Sequence, residues 1–266
     1  MPVVDGTVVE FAVGDGLGVI TLNRPEARNA IDEAFGRDLH RAVQRCAGDR
    51  TVRAVLIRAE GPAFTVGGDV AMFARTGAAD LPAKLHRLTS TYHEDLLTLD
   101  RLDVPVLAAV HGAVAGGGLG LIYVADIVLA AEGTRFTTGF AGLGVSGDGG
   151  SSWFLPRLVG ARRAAELYFS QRVLDADEAL EWGLITRIVP SNDLKTAAQT
   201  AARQLAAGPT RAFGEIRTLL RRSSQASLAD QLQAECAALV RTAGTRDAAH
   251  GIDSFTARSR PEFEGR

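Results

Sequence analysis

The stretch VPVLAAVHGAVAGGGLGLIYVA, Val104 to Ala125, lies between Asp103 and Asp126 and carries no charged side chain over 22 residues. A run of that length reaches the threshold for a membrane helix, and Gly112 and Gly116 have the GxxxG spacing of packed membrane helices. Pro105, His111 and the triplet Gly116, Gly117, Gly118 all weaken one continuous helix. The first seven residues, VPVLAAV, are short and rich in β-branched side chains, as a buried strand requires. We read the segment as strand, glycine turn and helix, with the helix opening at about Gly117 and no membrane span.

Outward from it, the pattern alternates. TVVEFAV and GVITLN, from Thr7 and Gly18, read as a strand pair, Ile31 to Ala47 as a helix, and VRAVLIRAEG, from Val52, as a buried strand. PAFTVGGDV is a glycine-bearing loop, and Leu81 to Leu99 is amphipathic. DIVLAAE, from Asp126, is a further strand, followed by the glycine-rich GFAGLGVSGDGGSSWFLPRLVG and by helical stretches around Arg162 to Ser170 and Asp177 to Trp182. Strands alternating with helices predict an α/β fold with parallel strands. From about Asn192 the pattern is wholly helical, broken at Gly208 and Pro209 and resumed over Thr210 to Arg222, Leu228 to Ala243 and Asp247 to Ala257. The chain therefore divides into a core, residues 1–207, and a helical region, residues 208–266.

Composition excludes several classes. Hydrophobic residues at 46% and charged residues at 23% are globular values, and a net charge of -2 offers no basic footprint for nucleic acid or a membrane surface. Cys46 and Cys236 lie far apart in helical stretches, and the N-terminus has acidic residues where a leader needs an apolar run. A reducing cytoplasm is the expected compartment. His40, His86, His93, His111 and His250 have no paired metal spacing, so no metal is expected, and His111 reads as a hydrogen-bonded core histidine. GLGVSG matches GxGxxG but lacks a preceding strand and an opening helix, and GVSGD misses the last glycine of a nucleophile elbow.

The chemistry concentrates in the glycine loops. A helix N-terminus has unpaired amides and partial positive charge, so a free Gly117 amide can hold negative charge on an oxygen. Val66 offers a second amide, with Gly67 and Gly68 shaping its turn and Gly116 shaping the other. The plain alternative is that these glycines only allow tight turns and close packing.

In order and spacing, GVITLNRPEARNAI, GPAFTVGGDV, PVLAAVHGAVAGGGLGL, ADIVLAAEGTRF, GLGVSGDGGSSWFLPRLVG, EALEWGLITRIVP and FTARSRPEF resemble the enoyl-CoA hydratase/isomerase, or crotonase, superfamily over essentially the whole chain. The resemblance implies a crotonase-like spiral of ββα units with a C-terminal helical trimerisation region, assembled as a homotrimer or a dimer of trimers. It implies an acyl-CoA thioester as substrate, with coenzyme A its only cofactor-like part. The amides of Val66 and Gly117 would hold the thioester oxygen as an enolate forms.

Hydratases of this superfamily carry two glutamates at positions that here are Gly120 and Phe140, neither able to transfer a proton. Asp148 is the remaining acid, in a loop where many relatives have proline at the place of Gly147. It reads either as a catalytic base or as a turn residue capping the helix after it. Phe140 and Trp153 would wall the pocket, Asp69 would brace its loop, and Arg28 either approaches the CoA phosphates or is solvated. Three functions stand: double-bond isomerisation of an enoyl-CoA by a single aspartate; other thioester chemistry, such as ring-expanding isomerisation, hydrolysis or dehalogenation; and acyl-CoA binding without catalysis.

Overall fold

The computed structural model describes residues 7–265, so the expectation about a leader, which rests on residues 1–6, lies outside the described residues. The strands β1 (Val9–Gly14) and β2 (Leu17–Leu22) form an antiparallel hairpin across Asp15 and Gly16, both at left-handed φ. Asp32 caps α1 (Glu33–Gly48) through the Phe35 amide at 2.9 Å, and the helix crosses to β3 (Ala54–Ala59), parallel to β2. The next crossover uses α2 (Val70–Thr76) and α3 (Leu81–Asp100) and ends in β4 (Val106–Val110).

The charge-free stretch therefore supplies the strand β4 as expected, but AVA, residues 113–115, read as part of a turn, is a strand. β5 (Ala113–Ala115) pairs in parallel with β7 (Arg135–Thr137) in a small second sheet. The glycine triplet forms a 3₁₀ turn, Gly116–Gly118, and the helix after it, α4 (Leu119–Tyr123), has only five residues. Between these elements β6 (Ile127–Ala131) joins the main sheet. The chain continues through α5 (Ser151–Leu158), α6 (Ala161–Phe169) and α7 (Ala176–Glu181) to β8 (Arg187–Val189). The six-stranded sheet runs β1-β2-β3-β4-β6-β8, parallel from β2 onward.

Alternation sorts each strand into two cores. Val55, Ile57, Val106, Ala108 and Val110 face α1 and α3, packing with Phe35, Leu39, Leu96 and Leu99. Ala54, Leu56, Leu107, Ala109 and Leu129 face α8 (Leu194–Ala206), whose Leu194, Ala198, Ala202 and Ala206 form the contact stripe. The charge-free run is thus a strand buried on both faces plus a buried one-turn helix, and no helix among the described residues is long and apolar enough to cross a membrane.

Three helices complete the chain: α9 (Thr210–Ser223), α10 (Leu228–Ala243) and α11 (Arg246–Thr256). Arg217 of α9 is buried and reaches into the core elements. Its Nε donates to Asp126 Oδ2 at 2.7 Å, and its terminal nitrogens donate to the carbonyls of Leu99, Asp100, Leu102 and Val124 at 2.5–3.1 Å. All five guanidinium donors are matched, and three of the acceptors are at the C-terminal end of α3, where positive charge is favoured. Arg221 adds bonds to Asp100, Asp126 and Val124.

Asp95 of α3 is fully buried; its Oδ1 accepts from His40 Nδ1 at 2.8 Å and its Oδ2 has no partner among the described residues. Burial, opposed by the His40 hydrogen bond, pushes its carboxyl up to about 6.

Replacing Arg217 by Met is expected to cost about 3–5 kcal/mol in urea unfolding, because five acceptors, two of them on the buried residues Leu99 and Val124, lose their donor. Arg217→Lys should recover less than half of that, since an ammonium has three donors and no fork; a loss under about 1 kcal/mol in Arg217→Met would contradict the anchoring role. For Asp95 the folded state binds more protons than the unfolded state between about pH 4 and pH 6, so this group makes stability fall as pH rises through that window. Asp95→Asn should therefore gain stability relative to the parent from pH 4 to pH 6, and a flat or opposite trend in denaturant titrations would refute the assignment.

Candidate active site

Three glycine turns meet beside α3. The first, residues 64–69, runs alongside β5: the Thr65 amide donates to Ala113 O and the Ala115 amide to Thr65 O. Every amide from 65 to 69 except one has an acceptor. Val66 donates to Arg28 O at 3.2 Å, Gly67 to Thr65 Oγ1 at 3.1 Å and Asp69 to Ile31 O at 3.0 Å. Gly68 alone has no acceptor among the described residues. The expectation that Val66 supplies the free donor is therefore corrected. Its N–H is held by the segment after β2, and the available amide is two residues further on. Asp69 braces its turn, accepting from the Met72 amide at 2.8 Å to cap α2.

The second turn carries Gly117 at the second position of the 3₁₀ turn, where an N–H has no intrahelical partner. Its carbonyl accepts a 2.7 Å hydrogen bond from the hydroxyl of Tyr92, a fully buried residue of α3. Gly67, at φ +80, and Gly116, at φ +54, are backbone conformations that side chains disfavour. A Cβ on Gly67 would lie 2.7 Å from Ala115 O, so the first two turns approach at backbone contact.

The third turn brings Asp148. A Cβ on Gly149 would lie 2.7 Å from Gly117 O, which packs this turn against the second one. Asp148 does not cap α5; the cap residue is Gly150 and receives no side-chain hydrogen bond. The carboxylate instead joins two elements. Oδ1 is 2.5 Å from His93 Nε2, and Oδ2 is 3.4 Å from where a Cβ on Gly117 would sit. With the carboxylate as acceptor, Nε2–H of the imidazole is the donor. One oxygen is thus oriented by α3 while the other faces the turn bearing the free amide.

Phe140 is buried, stacked on Tyr168 with ring centroids 6.2 Å apart, and its ring edge approaches Gly116. Trp153 is more than a third exposed; its ring contacts are Phe154, edge-on at 4.6 Å, and the Arg157 guanidinium at 4.0 Å, which gives no support for a role as a wall. Arg28 is exposed at left-handed φ, and its carbonyl holds Val66. His111, expected in the core, is half-buried, and its Nε2–H donates to Gly61 O at 2.8 Å. No group of three or more His, Cys, Asp or Glu among the described residues is arranged to hold a metal.

At the two positions where relatives carry glutamates, Gly120 has no space for a side chain without a shift of its neighbours, and position 140 is filled by the Phe140 ring. A Cβ on Gly120 would meet Gly149 O and Leu96 Cδ1 at 2.8 Å and the Tyr92 hydroxyl at 3.0 Å. Tyr92 and His93 are the two residues that reading the sequence did not select. Tyr92 continues the apolar stripe of Leu88, Leu96 and Leu99 and so looks like core, and His93, in HED, has no second histidine four residues on.

The family model for enoyl-CoA hydratase/isomerase matches residues 12–266. The chain is 34% identical to the 1,2-epoxyphenylacetyl-CoA isomerase of Escherichia coli, over 96% of this chain and 97% of that protein. It is 32% identical to a 4-chlorobenzoyl coenzyme A dehalogenase of Arthrobacter, over 80% and 78%. The crystal structure of an enoyl-CoA hydratase/isomerase homologue from Mycobacterium abscessus superposes with a TM-score of 0.93 at 38% identity, covering 97% of this chain and all of the other. With its spiral of ββα units and its converging glycine turns, this chain belongs to the enoyl-CoA hydratase/isomerase family.

Proposed function

We propose that the protein isomerises the double bond of an enoyl-CoA through an enolate, with Asp148 as the single shuttling base. The amides of Gly117 and Gly68 hold the thioester carbonyl oxygen, which lowers the cost of removing a proton from the adjacent carbon. Asp148 Oδ2 takes that proton from one carbon and returns it to another, while His93 keeps the carboxylate oriented. One carboxylate is enough for this exchange, and it uses no metal or redox group. The observation that carries the reading is the Asp148 carboxylate poised between His93 and Gly117. The role we assign to the exposed Arg28 is contact with the CoA phosphates, as the family resemblance implies. Leu220 and Phe255, 69% and 86% exposed on α9 and α11, belong to the face through which we assign a homotrimer, alone or paired.

The His93 contact favours one second reading. A carboxylate beside an imidazole can also act as a nucleophile on a carbon of the acyl group, displacing a leaving group, with His93 then deprotonating the water that hydrolyses the aspartyl ester. That is the substitution chemistry expected of a dehalogenase or hydrolase.

In deuterated water the protein is expected to exchange deuterium into 2-enoyl and 3-enoyl CoA thioesters, read by mass spectrometry. Asp148→Asn should lower exchange about 10²–10⁴-fold while thioester binding is retained. Exchange within threefold of the parent would remove Asp148 from the mechanism. A single turnover of an aromatic halo-thioester in H₂¹⁸O that labels Asp148 would establish the second reading in place of the first. Gly120→Glu should fail to create hydratase activity, because the backbone of Gly149 and the Tyr92 hydroxyl occupy the side chain's path; measurable hydration of crotonyl-CoA by that variant would show the obstruction to be unimportant.

A further inference from the structure

Gly117 is the hinge between two peptide planes, one bearing the N–H that meets the thioester oxygen and the other bearing the carbonyl bonded to Tyr92. With no side chain, such a hinge has little intrinsic preference and must be held by its surroundings. The Tyr92 hydroxyl does so from another element, at 2.7 Å from the carbonyl oxygen. Its ring belongs to the apolar core between α3 and the sheet, where phenylalanine would serve equally well for packing. The hydroxyl is therefore the part of the side chain that needs a reason. Burial pushes the phenol well above its ordinary range, so the donor proton stays in place across neutral pH.

Gly120 gives the second, independent observation. The Tyr92 hydroxyl is 3.0 Å from where a Cβ on Gly120 would sit, so any side chain there would contest its position. A side chain at 120 and the hydroxyl anchor at 92 therefore compete for the same space, with Gly149 O and Leu96 Cδ1 closer still at 2.8 Å.

We propose that Tyr92 is a positioning residue of the thioester site: its hydroxyl fixes the Gly117 hinge so that the Gly117 amide points at the carbonyl oxygen, in the space that the absence of a side chain at Gly120 leaves open. The inference rests on the oxyanion-binding role assigned above to Gly117. α3 then controls the site twice, through Tyr92 on the amide and through His93 on the base.

The test uses the full-length protein, its Tyr92→Phe variant and its Gly120→Ala variant, with [1-¹³C]butyryl-CoA as a non-reacting probe. Isotope-edited difference infrared spectroscopy reads the polarisation of the bound thioester carbonyl. The parent should shift the carbonyl band to lower frequency; Tyr92→Phe should lose at least about half of that shift and about 10–100-fold in the kcat of proton exchange, with KM within about threefold. Gly120→Ala, which presses a methyl group toward the same hydroxyl, should change the band and kcat in the same direction. A purely packing role for Tyr92 predicts a lower melting temperature with an unmoved carbonyl band. A full parental shift and a kcat within threefold in Tyr92→Phe would overturn the proposal while leaving the oxyanion site intact. No shift in the parent would instead overturn the oxyanion site, and this proposal with it. Circular dichroism checks that Tyr92→Phe is folded, and if it is not, Gly120→Ala and the double variant Tyr92→Phe/Gly120→Ala are compared by the same band at a temperature where both are folded: equal loss of the shift supports the proposal, and a full shift in Gly120→Ala overturns it.

Discussion

Backbone has to touch backbone at the centre of this molecule. The turns at 64–69, 116–118 and 147–150 pack so closely that a Cβ on Gly67 would strike Ala115 O, just before the second turn, and one on Gly149 would strike Gly117 O, each at 2.7 Å, while one on Gly118 would collide with Thr65. Glycine at these positions removes the side chains that would hold the turns apart. The result is a small region walled by amides rather than side chains, with the N–H groups of Gly68 and Gly117 left without partners among the described residues. The sheet and the helices around it provide the fixed points between which these turns are suspended.

Those fixed points are specific. The first turn is tied to the segment after β2 by the Val66, Gly67 and Asp69 backbone bonds and to β5 by Thr65. The second is held by Tyr92 and the third by its packing against Gly117. α3 runs beneath all of this and is itself closed at its C-terminal end by Arg217 of α9, whose donors also reach Val124 at the end of α4. The helical tail is thereby bonded to the two elements that carry the site, so its packing and the site's geometry are physically linked.

Relative to family members with two glutamates, the exchange of side chains is coherent rather than a simple loss. The volume at Gly120 is taken by the Tyr92 hydroxyl and Leu96, and Phe140 lies against Tyr168. The loop change at Gly147 follows the same logic: the Tyr168 hydroxyl fills the space a Cβ would need there. Beside the second turn stand one carboxylate and one imidazole, Asp148 and His93, the pair on which the proposed proton transfer is built.

Much of this was legible in the amino acids. The charge-free run from Val104, interrupted by Pro105 and the glycine triplet, already determined a doubly buried strand followed by a turn, because hydrophobic periodicity and glycine placement act locally. The order of motifs determined the family, and the departures at Gly120 and Phe140 argued against the two-glutamate chemistry. The sequence could not decide which amide of TVGGD is free. All five are equivalent along the chain, and only the pairing of Val66 with Arg28 and of Asp69 with Ile31, from a segment more than thirty residues earlier, leaves Gly68 available. Nor could it tell an Asp148 that caps α5 from one whose carboxylate meets His93, or raise His93 and Tyr92 above an ordinary helix face. Those roles arise from contacts across 55 and 25 residues, and a hydrogen bond formed only when two distant segments are brought together leaves no periodic or local mark on either.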